Sequence, residues 1–255
     1  MKKFGLLGEK LSHSKSPDIH QMIFQKLDIN GKYDLVETSP EDIKKYIEKY
    51  DGLNVTIPYK ETVNPLLKSL SKEAKSIGAV NTIYEKKGYN TDYFGFGKML
   101  NVKNIKVDKK ICVILGTGGA SKAVKYYLKK NNAKKIISVS RSKKGKNIIN
   151  YDDIETIKGD ILINTTPVGM YPNIEESPVN SKIISKYKVA IDLIYNPLET
   201  LFLKYAKENN LKYVNGLYML IGQAVKAQEI WNNIEINDDL IEEIFKNLSN
   251  KKSRF

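Results

Sequence analysis

The chain has 255 residues, 41% apolar and 28% charged, which excludes collagen-like, low-complexity and extensively disordered classes and leaves room for one large domain or two modest ones. The net charge is +13, yet only Arg141 and Arg254 among the 42 basic residues are arginines. A surface of scattered lysines argues against a nucleic-acid reader built on bidentate guanidinium contacts and favours a mild pull on small anionic ligands.

Read in chain order, short β-like runs alternate with helical patterns: Phe4–Leu7, then Pro17–Leu27 with Ile19, Met22, Ile23 and Leu27 on one face, then Tyr33–Val36. A helix over Glu41–Tyr50, a strand over Leu53–Ile57 and helical stretches through Leu66 and Ala74 follow. This βαβαβα order predicts a mostly parallel sheet covered by helices. Ala79–Tyr84 and Gly88–Asn90 read as two short strands around a turn, a helix starts near Thr91-Asp92 and runs to about Leu100, and the polar segment Asn101–Lys110 reads as a linker between domains.

The alternation then restarts with strand Ile111–Leu115, a glycine-rich turn, helix Ala120–Lys130, and strands Ile136–Val139, Ile161–Asn164 and Val189–Leu193. Helix Leu198–Lys207, strand Lys212–Val214, a long helix Leu217–Trp231, a terminal helix Asp238–Leu248 and a frayed Lys-rich tail complete it. The fold class is α/β in two domains, the second a doubly wound sheet.

No apolar stretch approaches the ~18–20 residues of a membrane span. The run after Lys2-Lys3 is stopped by Glu9 and Lys10 before it reaches the ~7–15 apolar residues of an export signal, so a cytoplasmic protein is expected. The single cysteine, Cys112, lies in an apolar run and reads as an inert buried thiol. The two histidines, His13 and His20, lack companions for a metal site and read as structural hydrogen-bonding groups; no metal is expected.

The sharpest local signal is Val113-Ile114-Leu115-Gly116-Thr117-Gly118-Gly119-Ala120-Ser121. A buried strand running through a glycine turn into a helix offers free backbone N–H groups and the positive end of a helix dipole to a pyrophosphate. Gly116 permits the tight turn, Gly118 permits close approach of the backbone, and Ser121 stands where a third glycine is usual. The next strand ends in Ser140-Arg141-Ser142-Lys143-Lys144, with an arginine where a 2′-phosphate would lie and no carboxylate to hold a ribose 2′-hydroxyl, so the cofactor reads as NADP rather than NAD.

Elsewhere, Ser12-His13-Ser14-Lys15-Ser16-Pro17 places hydroxyls on one side of an extended loop, although Ser16 fits better as the N-cap of the helix whose first residue is Pro17. Asn54, Thr56 and Lys60 lie near the carboxyl end of a strand, where open α/β sheets bind ligands; Asn81 and Asp92 follow in polar segments. Taken singly, Lys60 reads as a surface lysine and Asp92 as a helix cap.

Eight ordered segments nevertheless resemble the shikimate dehydrogenase family across nearly the whole chain. They are Ser12–His20, Asn54–Lys60, Gly78–Thr82, Asn90–Asp92, Gly116–Ser121, Asn164-Thr165-Thr166-Pro167-Val168-Gly169-Met170, Asp192–Thr200 and Gly216–Ala224. The resemblance implies NADP-dependent reduction of 3-dehydroshikimate to shikimate. It implies a substrate domain over 1–100, a Rossmann-like NADP-binding domain over 101–216, and C-terminal helices over 217–255 packing back on the first. Carried over residue by residue, Lys60 and Asp92 form the catalytic pair, while Ser14, Ser16, Asn54, Thr56, Asn81, Tyr195 and Gln223 contact substrate. The cofactor falls to Gly116, Thr117, Gly118, Gly119, Ala120, Ser121, Ser140, Arg141, Ser142, Asn164, Thr165 and Gly216.

The sequence departs from the family's pattern at Lys10, where proline is common, at Gln21, where asparagine is usual, and at Tyr93 beside Asp92, where glycine is common. The alternatives are an NAD-dependent quinate/shikimate dehydrogenase and a non-catalytic NADP-binding regulator. The expected partner is the small-molecule substrate, with no nucleic acid or membrane, in a monomer or homodimer.

Overall fold

In the computed structural model, β1 (Lys2–Gly8) starts a sheet because its run from Phe4 onward is buried, with Phe4 and Leu7 fully so. The structure describes residues 1–11, 14–142 and 144–250; the readings placed on Ser12, His13, Lys143 and the 251–255 tail fall outside the described residues. The chain folds into two compact units, one of Met1–Gly95 with the chain from Ile221 onward, the other of Phe96–Leu220.

In the first unit, α1 (Ser16–Leu27) leads to β2 (Gly31–Glu37), a 3₁₀ turn at Pro40–Asp42 passes into α2 (Ile43–Lys49), and β3 (Gly52–Val55) is buried throughout. A 3₁₀ turn at Asn64–Leu66, β4 (Ser69–Leu70), α3 (Lys72–Ile77), β5 (Thr82–Tyr84) and β6 (Lys87–Tyr89) follow. The sheet order is β2-β1-β3-β5-β6-β4. Parallel pairing joins β1 to β2 and β3, whereas β5 runs antiparallel to both β3 and β6. A hairpin turn carries β5 into β6, with Glu85 and Lys86 at positive φ.

Helix α4 (Asp92–Val102) extends two residues beyond its expected end, and Ile105 and Val107 in the segment expected as a linker are buried. The second unit then lays down β7 (Ile111–Leu115), α5 (Gly119–Lys130), β8 (Lys135–Val139), β9 (Ile148–Ile149) and β10 (Ile161–Asn164), with a 3₁₀ stretch over Tyr151–Thr156 between the last two. It continues through α6 (Ser181–Ile184), β11 (Val189–Asp192), α7 (Leu201–Glu208) and β12 (Lys212–Val214). Every pairing in this sheet is parallel, in the order β12-β11-β10-β7-β8-β9. That is the dinucleotide-binding arrangement, whose strand order reverses between β7 and β10 and opens a crevice at their carboxyl ends.

Cys112 sits in β7 with no exposed surface, and burial pushes its thiol up to about 12, as expected of an inert thiol. Helix α7 begins at Leu201 rather than Leu198 because the Thr200 hydroxyl accepts the Leu203 N–H and caps it there.

Helix α8 (Leu217–Asn232) and α9 (Asp239–Asn250) end the described chain. Trp231 of α8 stacks on Phe4 with ring centroids 4.7 Å apart and donates its indole N–H to the Ile83 carbonyl at 3.0 Å. This contact fixes the C-terminal helix to the first sheet, and truncating an aromatic so placed costs ~3–5 kcal/mol.

Candidate active site

The turn after β3 brings Lys60 into place. The Thr56 N–H donates to the Leu7 carbonyl and the Tyr59 N–H to the Thr56 carbonyl, each at 2.9 Å, while the Tyr59 hydroxyl reaches the Thr38 carbonyl at 2.6 Å. The Lys60 carbonyl then accepts the Val80 N–H at 2.7 Å. With its backbone held, Lys60 extends its Nζ to within 2.6 Å of Asp92 Oδ2, the side chains being 15% and 9% exposed. Lys60 is therefore no ordinary surface lysine.

Asp92 is the first residue of α4, where a negative charge is favoured by the helix dipole. Its N–H donates to Asn90 Oδ1 at 3.1 Å and its Oδ1 accepts from Asn81 Nδ2 at 2.8 Å. The carboxylate is thus gripped by two side chains rather than capping the helix.

Asn81 holds this corner together. Its Oδ1 accepts the Thr91 N–H at 2.6 Å and the Thr82 hydroxyl at 3.1 Å, and its Nδ2 also stands 3.5 Å from Gln223 Oε1. Gln223 and Asn81 are both buried, and the long separation between them can be exchanged for a bond to a ligand hydroxyl. Thr56 is partly buried, with no hydrogen bond to its hydroxyl among the described residues.

Two expectations are corrected here. Ser16 does not cap α1: it is the first helical residue, the N-cap position belongs to Lys15, and no side chain bonds there as a cap. Ser14 Oγ instead accepts the Ser16 N–H at 3.2 Å, and Ser16 is buried. Asn54 has no polar atom left for substrate. Its Oδ1 accepts from His20 Nε2 at 3.1 Å and from the Tyr33 hydroxyl at 2.8 Å, and its Nδ2 donates to the Asn81 carbonyl at 3.3 Å and Thr82 Oγ1 at 3.2 Å.

In the second unit the turn between β7 and α5 has the features of an anion cradle. Gly116 adopts φ +101°, a conformation side chains rarely take, and a Cβ there would come within 2.9 Å of Thr165 Oγ1. Thr165 is fixed in turn, its hydroxyl donating to the Leu115 carbonyl at 2.7 Å. Gly118, the N-cap of α5, supplies no side-chain cap, and a Cβ built on it meets nothing within 4 Å. The first-turn N–H groups of α5 have no side-chain cap from Gly118, as a helix end that takes a pyrophosphate requires.

Ser121 closes the turn by donating to the Gly118 carbonyl at 2.6 Å, which explains how serine replaces the third glycine. At the end of β8, Ser140 is buried with its Oγ 3.3 Å from Thr117 Oγ1 and accepting the Ser142 N–H at 3.4 Å. Arg141 is exposed and makes no ion pair among the described residues. These groups fit a dinucleotide carrying a 2′-phosphate.

Asn164 is fully buried: its amide donates to Asp192 Oδ1 at 3.0 Å and accepts both the N–H and hydroxyl of Thr166, at 3.0 and 2.7 Å, so its side chain builds the turn after β10.

Asp192, to which sequence reasoning gave no role, organises the neighbouring turn: its Oδ1 also accepts the Ile194 N–H at 3.0 Å and its Oδ2 accepts the Thr200 hydroxyl at 2.6 Å. Burial pushes its carboxyl up to about 7 against these hydrogen bonds. The signal in sequence was its position at the last residue of a buried strand, two before Ile194 and eight before a capping threonine.

Tyr195 lies partly buried on that turn. Gly216 is buried, its N–H donates to the Ile194 carbonyl at 2.9 Å, and a Cβ on it would fall 1.9 Å from the Leu193 carbonyl oxygen. Its own carbonyl accepts the Leu220 N–H at 3.0 Å, so the second lone pair of that oxygen is its remaining route to a ligand.

Residues 6–83 match the family model described as the shikimate dehydrogenase substrate binding domain. A relative from Clostridium beijerinckii, named shikimate dehydrogenase (NADP(+)), is 47% identical over 98% of this chain and 99% of its own length. The crystal structure of a chorismate mutase/shikimate 5-dehydrogenase fusion protein from Clostridium acetobutylicum superposes with TM-score 0.95 at 48% identity, covering 98% of both chains. That of shikimate 5-dehydrogenase from Thermus thermophilus, in complex with NADP(H) and shikimate, gives TM-score 0.85 at 30% identity over 95% of this chain and 98% of the other.

Proposed function

The chain belongs to the shikimate dehydrogenase family, and from that premise we propose that it catalyses the reversible, NADP-dependent reduction of 3-dehydroshikimate to shikimate. The observation that carries this reading is the shielded Lys60–Asp92 pair, a cation and a carboxylate held 2.6 Å apart with a third group, Asn81, fixing the carboxylate.

Reduction of a ketone builds negative charge on its oxygen, so a proton donor at that oxygen lowers the barrier. NADPH, when bound, supplies the hydride. The Lys60 ammonium stabilises the developing alkoxide and gives it a proton; Asp92 keeps the ammonium oriented, and in the reverse direction the same pair receives the proton.

Ser14, Ser16 and Thr56 supply hydroxyls for the substrate's carboxylate and ring hydroxyls, and Asn81 and Gln223 supply amides beside the reacting centre. Tyr195 is read as a substrate residue on the family pattern alone. The Gly116–Ser121 turn holds the pyrophosphate, Arg141 with Ser140 and Ser142 the adenosine 2′-phosphate, and Thr165 and the Gly216 carbonyl complete the cofactor's surroundings.

Among the described residues no helix is long and apolar enough to cross a membrane. We read the enzyme as cytoplasmic, acting as a monomer or homodimer. The test is absorbance of NADPH formed from shikimate and NADP⁺ by the purified chain. Turnover that vanishes in Lys60→Ala supports the reading, NADH formed from quinate in preference to both would move it to the quinate enzyme, and cofactor binding without turnover would make the protein a regulator.

A further inference from the structure

A series of hydrogen bonds, exposed at its start and buried from Gln228 and His20 inward, runs through the first unit towards the Lys60–Asp92 pair, and the donors along it point the same way. It starts at the Lys2 ammonium, which donates to Asn232 Oδ1 at 2.9 Å. Asn232 Nδ2 donates to the backbone carbonyl of Gln228 at 3.0 Å and to Gln228 Oε1 at 2.8 Å. A backbone carbonyl can only accept, so the orientation of the Asn232 amide is determined, and with it that of Gln228. Gln228 therefore presents Nε2 to His20 Nδ1 at 2.8 Å, which makes Nδ1 an acceptor and leaves the proton on Nε2, facing Asn54 Oδ1.

Asn54 passes the direction on to the Asn81 carbonyl and Thr82 Oγ1, Thr82 donates to Asn81 Oδ1, and Asn81 Nδ2 meets Asp92 Oδ1. The far end is also anchored by backbone, since the Thr91 N–H, which can only donate, meets the same Asn81 oxygen.

Building on the proposed function, we infer that Thr82 and His20 are positioning residues for the reaction, holding the Asn81 amide with its N–H towards Asp92 so that the other carboxylate oxygen stays aimed at Lys60. An Asn81 amide turned over would set its oxygen against Asp92, two acceptors face to face. Consecutive donors also polarise one another, which strengthens the final bond to the carboxylate.

Lys60 is the charged group paired with Asp92, and His20 and Tyr33 are the titratable groups within the series. Burial lowers His20 to about 3 and holds the Tyr33 phenol well above its ordinary value, so both are neutral around pH 7.

Thr82→Val keeps the shape of the side chain and removes its hydroxyl. The expected result is a loss of roughly 5- to 30-fold in kcat with KM for shikimate and NADP⁺ within about threefold. Thr82→Ser restores kcat.

An unchanged kcat, or a loss that serine does not repair, overturns the inference while wild-type turnover leaves the proposed function standing. One measurement needs neither substrate nor the variant, and it decides the matter if the wild type is inactive or the valine variant fails to fold. ¹⁵N spectra of the wild-type His20 ring are expected to show a neutral, Nε2-protonated imidazole that does not titrate between about pH 5 and 8. A ring protonated on Nδ1, or one that takes up a proton within that range, overturns it.

Discussion

Asp92 binds Lys60 through one carboxylate oxygen and Asn81 through the other, at 2.6 and 2.8 Å. Neither oxygen is left to wander, and the ammonium is held beside the carboxylate; on the proposed function it is the group that meets the developing alkoxide. Lys60→Ala is therefore expected to lower kcat by roughly 10²–10⁴-fold with KM changed only a few-fold, because the lost charge matters chiefly once the substrate oxygen becomes anionic. Steady-state kinetics with shikimate checks this. A large rise in KM at constant kcat would reduce Lys60 to a binding residue.

Arg141 stands exposed at the end of β8. If it meets the 2′-phosphate, NADP⁺ affinity falls more steeply with added salt than NAD⁺ affinity, since the extra charge contact is screened. Arg141→Asp then moves the preference towards NAD⁺, with a change in the kcat/KM ratio of about 10- to 150-fold, the value of a charge-assisted hydrogen bond to the ribose. An unaltered ratio would remove Arg141 from the cofactor site.

The glycines of the second unit separate binding from stability. A methyl group at Gly118 meets no protein atom within 4 Å, and its φ of −79° suits any residue. Gly118→Ala should therefore keep Tm within about 2 °C while weakening NADP⁺ binding at least tenfold, as the methyl occupies the space the pyrophosphate needs. At Gly216 the same methyl would lie 1.9 Å from the Leu193 carbonyl oxygen, and Gly216→Ala is expected to lower stability by about 3 kcal/mol or more. Thermal melts with calorimetric titration decide both, and an unstable Gly118→Ala would contradict the first.

Two buried groups give stability opposite dependences on pH. Asp192 is raised from 3.8 to about 7, so between those values the folded chain holds a proton that the unfolded chain has lost, and its contribution to stability falls as pH rises through that window. The slope is up to about 1.4 kcal/mol per pH unit. His20 is lowered from 6.5 to about 3, and its contribution is present above 6.5 and lost as pH falls towards 3. Comparing Asp192→Asn with wild type cancels the histidine. The Tm of the variant relative to wild type should climb from about pH 4 to 7 and level off above about 8; a constant difference would mean that Asp192 stays ionised throughout.

Much of this was legible in the sequence. The strand-turn-helix at Leu115–Ser121 announced itself because a buried β-branched run, closely spaced glycines and a helical pattern agreed with one another. The two-residue strands Ser69–Leu70 and Ile148–Ile149 did not, because alternation needs more residues than they contain. Asn54 misled for a physical reason: a polar residue at the carboxyl end of a strand reads as ligand-facing, yet an amide has two hydrogens and two lone pairs, and all four are taken up by His20, Tyr33, Asn81 and Thr82. The Lys60–Asp92 contact, 32 residues apart in sequence, came only from the family resemblance, since no local pattern encodes it.

Cys112, sealed in β7 with its thiol pushed up to about 12, makes the chain its own reporter of opening. A maleimide has one sulfur to find, and that sulfur becomes reactive only when the central strand of the second sheet parts from its neighbours. Its labelling rate thus times the breathing of that sheet without any engineered probe, and ligands that clamp the second unit will slow the clock. The remaining surface is free of thiols, so a cysteine introduced elsewhere can be dyed selectively in the native protein.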